Sequence, residues 1–335
     1  MIGLTWSKAL TAAAITATVF ASGCAAQEGG EGTWPGGEDF TYVIPYSPGG
    51  STDPVGREFS RLLGDAVGST AVVENLPGGD ETIGLTRVIQ AEPNGLTLGL
   101  SSATGVIVQP LVNENLPFKT ASDYTPIVKM VEAPNVLVVA SNSPYKTLDD
   151  LIADAKRRPG QVRVGTTGEL TNNTFVAVSL EEQAGIDLNV VPFSGGAGEA
   201  VLATLGGDID ASIPTAAGQR SFIDSGELRA LAHTGDASYN EVLPGSQSFS
   251  DAGFNVPFSS DYITVAAPGL ADNVRDELVA AASEVAESDA WATWCKEAGF
   301  VADPMSGTEL DEWITTTTQA SERAIELVEQ SKQQG

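Results

Sequence analysis

The sequence predicts an α/β protein whose sheets are built from parallel strands. Short β-branched and aromatic runs, such as Tyr42-Val43-Ile44 and Asn135–Ala140, alternate with segments of helical periodicity, such as Val55–Leu63 and Asp272–Glu287. Gly-rich turns bearing small hydroxyl residues follow one strand after another. A length of 335 residues with 42% hydrophobic and 18% charged content suits a globular protein of about two domains.

The first unit runs from Phe40 to Arg57. Tyr42, Val43 and Ile44 form a strand, and Pro45, Pro48, Gly49 and Gly50 break it. Ser51, Thr52 or Asp53 suits a helix N-cap, and Pro54 suits the first turn. A strand feeding such a turn into a helix presents free backbone N–H groups to an anion, although an ordinary βα loop reads the same way. Neither a G-x-x-x-x-G-K-[ST] nor a G-x-G-x-x-G pattern occurs at this turn, so a nucleotide phosphate is not indicated.

The alternation continues with strand Thr70–Glu74, helix Thr82–Ala91 and strand Leu96–Leu100, the last ending in Ser101–Gly105. Strand Asn135–Ala140, a helix opened by Thr147 and closed by Pro159-Gly160, and strand Val162–Gly165 follow. After Thr166-Thr167-Gly168 come helix Thr174–Ala184, strand Asn189–Pro192, the loop Phe193–Gly198 and helix Glu199–Leu205. Strands at Asp208–Ile213, Arg229–His233 and Asp261–Ala266, then helices Asp272–Glu287 and Leu310–Glu329, complete the chain. In open parallel sheets ligands sit beyond the carboxyl ends of strands, where these hydroxyl-bearing loops fall.

With 44 acidic against 17 basic residues, the formal charge is −27. That balance argues against nucleic acid or an anionic membrane surface as partner. An anionic ligand would have to be held by local N–H dipoles and a few placed donors. Residues 1–26 read as a targeting segment ending Ala21-Ser22-Gly23-Cys24, which resembles a bacterial lipobox with Cys24 as the lipidated residue. Residues 27–38 read as a flexible tether. Cys295 is expected as a buried small hydrophobe, His233 as structural and Trp291, Trp294 and Trp313 as core residues. No H-E-x-x-H, C-x-x-C or G-x-S-x-G pattern occurs, so neither a metal, a cofactor nor a catalytic triad is expected. The recurring loops suit binding rather than catalysis.

Several ordered motifs resemble the extracytoplasmic solute receptors of tripartite tricarboxylate transporters, the Bug family. Its opening pattern is matched by Pro45, Tyr46, Gly49, Gly50, Ser51, Thr52, Asp53 and Arg57, and its second signature by Val72–Gly78. Pro93–Leu98, Val191–Gly195, Leu205–Asp210, Leu228–Ala232 and Ala267–Gly269 match further family patterns, so the resemblance covers about residues 39–330. It implies a two-lobed periplasmic-binding-protein fold (type II, Venus flytrap) with two crossovers: lobe one at 39–140 and 262–335, lobe two at 141–261. It implies a ligand between the lobes, held by Tyr46, Ser47, Gly49, Gly50, Ser51, Thr52, Ser102 and Thr104 from one side. Thr167, Gly168, Thr171, Asn172, Phe193, Gly195, Gly196 and Ala197 would approach from the other. Asp53 is read as a helix cap, with a ligand contact as the alternative.

The implied function is capture of a small organic acid (a di- or tricarboxylate, amino acid or aromatic acid) and delivery to a membrane permease. The protein would be a monomer held at the membrane by lipid alone. A sensor for a signalling partner is the alternative. The chain departs from the family at Gly78-Gly79-Asp80-Glu81, where Gly-Ala-Gly-Gly is usual, at Phe193 for a Tyr, and at Pro214 for an Asp. A Gly and a His are also missing between Gly168 and Thr174. These departures fall on the wall that would set specificity.

Overall fold

The computed structural model describes residues 34–49, 52–193 and 196–334. The targeting segment, Cys24 and most of the tether lie outside the described residues. The strands in chain order are β1 (Phe40–Ile44), β2 (Ala71–Asn75), β3 (Thr97–Ser102), β4 (Thr125–Glu132), β5 (Val136–Ala140) and β6 (Arg163–Thr166). They continue as β7 (Asn189–Pro192), β8 (Ala211–Ser212), β9 (Leu228–His233), β10 (Gln247–Ser248), β11 (Tyr262–Ala266) and β12 (Val301–Met305). The helices are α1 (Asp53–Val67), α2 (Thr82–Ile89), α3 (Gln109–Val112), α4 (Leu148–Arg157) and α5 (Asn172–Ala184). After them come α6 (Ala197–Gly206), α7 (Arg220–Asp224), α8 (Asp272–Ala286), α9 (Asp289–Ala298) and α10 (Gly307–Gln334).

Two six-stranded sheets repeat one plan: β2-β1-β3-β11-β4-β12 and β7-β6-β8-β5-β9-β10. In each, three parallel strands are followed by an antiparallel one, β11 on β3 and β5 on β8. The parallel expectation therefore holds for β1–β3 and β6–β8, while the sheets as wholes are mixed. The antiparallel strand in each sheet is the one that has just crossed from the other sheet.

Local sequence explains the elements. In α1, Val55, Phe59 and Leu63 recur at four-residue spacing and are fully buried, and the helix stops at left-handed Gly68. In α4, Thr147 and Asp150 form a reciprocal capping box. Trp291, Trp294 and Phe300 stack in the first core, and the Trp291 indole donates to the Met130 carbonyl at 3.0 Å. Burial pushes the Cys295 thiol up to about 12, so it is inert packing. His233 is buried, with Nε2 2.8 Å from Asn240 Oδ1.

Three expectations change. The strand at 136–140, assigned to the first lobe from sequence, belongs to the second sheet, because β5 pairs along its length with β9 and also with β8. The strand expected over Asp208–Ile213 shortens to Ala211–Ser212. α10 is longer than expected, and it serves both cores: Leu310 and Ile314 join one cluster with Val43 and Ile263, Ala324 and Val328 another with Leu137 and Phe175.

The chain passes between the sheets at 133–135 and again at 249–261. Asn135, fully buried, holds the two passages together. Its Nδ2 donates to the Phe258 carbonyl at 2.6 Å, and its Oδ1 accepts from Asn173 Nδ2 at 3.0 Å and Ser260 Oγ at 3.2 Å. Beside it, Lys129 is buried against Asp261 at 3.2 Å and against Asp303, with the Trp313 ring 5.1 Å away. Burial alone would lower the Lys129 pKa, but Asp261 and Asp303 carry it above its usual value. Glu132 accepts from Ser259 Oγ at 2.7 Å, and burial together with the nearby Asp261 charge raises its carboxyl from 4.5 to about 7.

Two outcomes follow from this crossing. Asn135→Ala leaves the Phe258 carbonyl without its partner and removes one of the two acceptors of Asn173 Nδ2, and urea unfolding should show a loss of about 2–4 kcal/mol; an unchanged midpoint would contradict the role given to Asn135. For Glu132 the folded state binds the proton more tightly than the unfolded chain, so its contribution is present at low pH and is lost as pH rises from 4.5 through about 7. Glu132→Gln should flatten the fall in melting temperature over that window. Parallel curves for the two proteins would contradict it.

Candidate ligand-binding site

A cleft of about 710 Å³ lies where the carboxyl ends of β1, β3 and β6 meet, with lining residues from both sheets. Four helices begin at its wall: α1 after Thr52, α2 after Glu81, α5 at Asn172 and α6 at Ala197. Each N-terminus carries a fractional positive charge that favours an anion, although in α2 the Thr82 and Ile83 N–H groups already donate to the Gly79 and Gly78 carbonyls, and in α1 Pro54 has no N–H and Val55 donates to Thr52. Among the described residues the lining holds no Lys, Arg or His, and its charged side chains are Asp80 and Glu81.

Of the residues expected to bind, Tyr46, Ser47, Thr52, Ser102, Thr104, Thr167, Thr171, Asn172, Gly196 and Ala197 line this one cleft. Gly50, Ser51 and Gly195 lie outside the described residues. Four others do not line it. Gly49 donates its N–H to Asp53 at 3.1 Å, and the same carboxylate accepts from Arg57 Nε and Asn75 Nδ2. Asp53 is thus the first residue of α1 and a clasp for the preceding turn, rather than a helix cap. These donors hold its carboxyl below the usual range, against the opposing effect of burial. The Gly168 carbonyl is turned inward to accept the Thr171 and Thr174 hydroxyls. Phe193 anchors its N–H on Thr166 at 2.9 Å and lays its ring against Gly165, where a Cβ would come within 3.1 Å of it.

Pro45, Pro77, Gly78, Gly79, Asp80, Glu81, Asn173, Thr215, Ser260 and Tyr262 complete the lining. Asp80 and Glu81 had a sequence signal, since they stand where the resembled family carries glycine. Thr215, Ser260 and Tyr262 had none, because they come from the residues after β8, from the second passage and from the first residue of β11.

Glu81 is the most constrained of these. It is 4% exposed and sits with φ 77° just before α2, beside Asp80 at φ 48°. Its Oε2 accepts from the Ser102 N–H at 2.8 Å and Ser101 Oγ at 3.1 Å, and its Oε1 accepts from the Tyr46 and Ser102 hydroxyls. Gly105 allows this seat: a Cβ there would stand 2.5 Å from Oε2. Burial raises the Glu81 pKa, opposed by those four hydrogen bonds. Burial, then the Glu81 charge, raises Tyr46 well above the ordinary phenol value.

The opposite wall is tied to the chain passages. Asn172 Nδ2 donates to the Ser259 carbonyl at 2.8 Å, and Asn173 bridges Asn135, the Ile213 carbonyl and Thr167. The Thr52 and Tyr262 hydroxyls share a 2.9 Å bond across the first sheet. Asn172 Oδ1 is buried and has no hydrogen-bond partner among the described residues.

Residues 55–329 match the family described as the tripartite tricarboxylate transporter family receptor. Protein BugT of Bordetella pertussis is 30% identical over 227 residues, 68% of this chain and 69% of BugT. Among solved structures, an R. palustris protein with adipate, Rpa4515, superposes with a TM-score of 0.74 at 21% identity, covering 88% of this chain and 98% of its own. MatC from Rhodopseudomonas palustris with bound malate gives 0.69 at 22% identity over 87% and 99%. These likenesses show the fold, that of two-lobed periplasmic-binding proteins. No helix among the described residues is long and apolar enough to cross a membrane. The match over most of its length makes this chain a member of the tripartite tricarboxylate transporter receptor family.

Proposed function

We propose that the protein captures a small carboxylate-bearing organic acid in the cleft between its two sheets and hands it to the membrane permease of a tripartite transporter. The observation that carries this reading is the convergence of four helix N-termini on a cleft whose described lining has no basic side chain. An anion held there is held by backbone N–H groups and hydroxyls at short range, against the repulsion of a chain of charge −27. Such a site releases its ligand readily once its walls separate, because no full countercharge stays attached. The malate and adipate named with two structures of this fold support an acid of that size.

In this reading the residues on each sheet form a lobe, and the ligand favours the closed arrangement by contacting both walls at once. Asn172 and Asn173 then carry occupancy to the passages, since the Asn172 amide donates to Ser259 and the Asn173 amide to Asn135. No covalent step is involved. Cys24, the lipid attachment point of the sequence reading, would hold the receptor at the outer face of the cell membrane, with residues 27–38 as its tether.

The first test is thermal unfolding of the purified protein against a panel of di- and tricarboxylates, amino acids and aromatic acids. A binder of the folded state present at a hundred times its Kd should stabilise by about 2.7 kcal/mol. Silence across the whole panel would overturn the acid assignment. Cys24→Ser should move the protein from the membrane to the soluble fraction and leave any ligand-induced shift unchanged. Retention in the membrane fraction would overturn the lipid anchor.

A further inference from the structure

We infer that Glu81 is a built-in carboxylate occupying an acid-binding seat on the first-sheet wall of the cleft, so that the receptor selects acids whose far end is a hydrogen-bond donor over acids with a second carboxylate there. The inference deepens the proposed function and rests on the cleft being the ligand site.

The seat has the donors a ligand carboxylate would need. The Ser102 N–H can only donate, and it points at Glu81 Oε2 from 2.8 Å. Hydroxyls of Tyr46, Ser101 and Ser102 supply the other three contacts. Four donors fill the acceptor positions of one carboxylate, and Tyr46, Ser102 and Glu81 all line the cleft. A ligand meeting this wall therefore finds donors already engaged by a side chain of the protein. The backbone keeps Glu81 and Asp80 at positive φ, where non-glycine residues rarely sit, and such retained strain points to function.

The described lining offers spare acceptors on both walls. Asp80, exposed on the same wall, has Gln109 Nε2 no nearer than 3.5 Å. Across the cleft, buried Asn172 Oδ1 has no partner among the described residues. A ligand carboxylate placed against Asp80 and Glu81 meets like charge, and the four donors around Glu81 are already engaged. An amide, hydroxyl or ammonium there meets the Asp80 carboxylate as acceptor, while the ligand's single carboxylate is left to the N-termini of α5 and α6.

Titration calorimetry with pairs differing only at one end tests this: succinamate against succinate, adipamate against adipate, glutamine against glutamate. The purified protein should bind the amide member of at least one pair about tenfold or more tightly than the dicarboxylate. Glu81→Gly, a residue suited to φ 77°, should abolish or invert that preference by freeing the four donors. Glu81→Gln keeps the size of the side chain, removes the charge and should bring the ratio close to one, so the test survives a glycine variant that folds poorly. The inference is overturned if the wild-type protein binds the dicarboxylates as tightly as their amides. It is overturned equally if both variants fold and keep the wild-type ratio. Absence of heat from every pair with all three proteins would overturn the acid-receptor reading itself, an outcome distinct from bound ligands with an unaltered preference.

Discussion

One buried amide holds the architecture together. Asn135 lies in the first passage between the sheets, bonds to the second passage at Phe258 and Ser260, and receives Asn173 from the head of α5. A hydrocarbon side chain there would leave backbone and side-chain groups buried without partners, which costs more than the bonds contribute when made. The spacing of the two passages is therefore fixed by hydrogen bonds of definite length. The wall of the cleft formed by α5 inherits its position from that fixed point.

The electrostatics divide along the same line. Near the passages the chain buries full charges, with Lys129 set between Asp261 and Asp303. Among the described residues the cleft lining holds no basic side chain, and it is made of helix termini and hydroxyls apart from the carboxylates of Asp80 and Glu81. Buried ion pairs are sensitive to geometry, which suits an interior that must keep one arrangement. Partial charges on helix ends are weaker and shorter in range, which suits the reversible binding proposed for this surface.

Much of the fold was legible in the sequence because apolar runs and helical periodicity are local signals. Strands β1, β3 and β5, and helices α1, α4 and α8, are of that kind. β4 and β12 were not read, since Pro126 and Lys129 interrupt the first and Pro304 the second; β12 is an edge strand, where a missing N–H is tolerated. The sheet membership of β5 depends on partners far along the chain, and no local pattern carries it. At the cleft, the loops after β1, β3 and β6 were visible as Gly and hydroxyl clusters. Tyr262, Ser260 and Thr215 were not, because they reach the cleft through pairing and passage geometry. Asp80 and Glu81 could be seen as added acid, but only the fold shows that Glu81 is buried and fully bonded.

The long closing helix limits how the molecule can deform. α10 has 28 residues, a rod about 40 Å in length. Its early turns are rooted beside Val43 and Ile263, its later turns beside Leu137 and Phe175. Two strands passing between the sheets would by themselves permit torsion as well as flexion. A stiff strut rooted in both cores resists torsion, leaving flexion about an axis near the strut as the soft coordinate. In the closing motion proposed above, the cleft would open like a book with a rigid spine, its facing walls returning to the same register each time it shut.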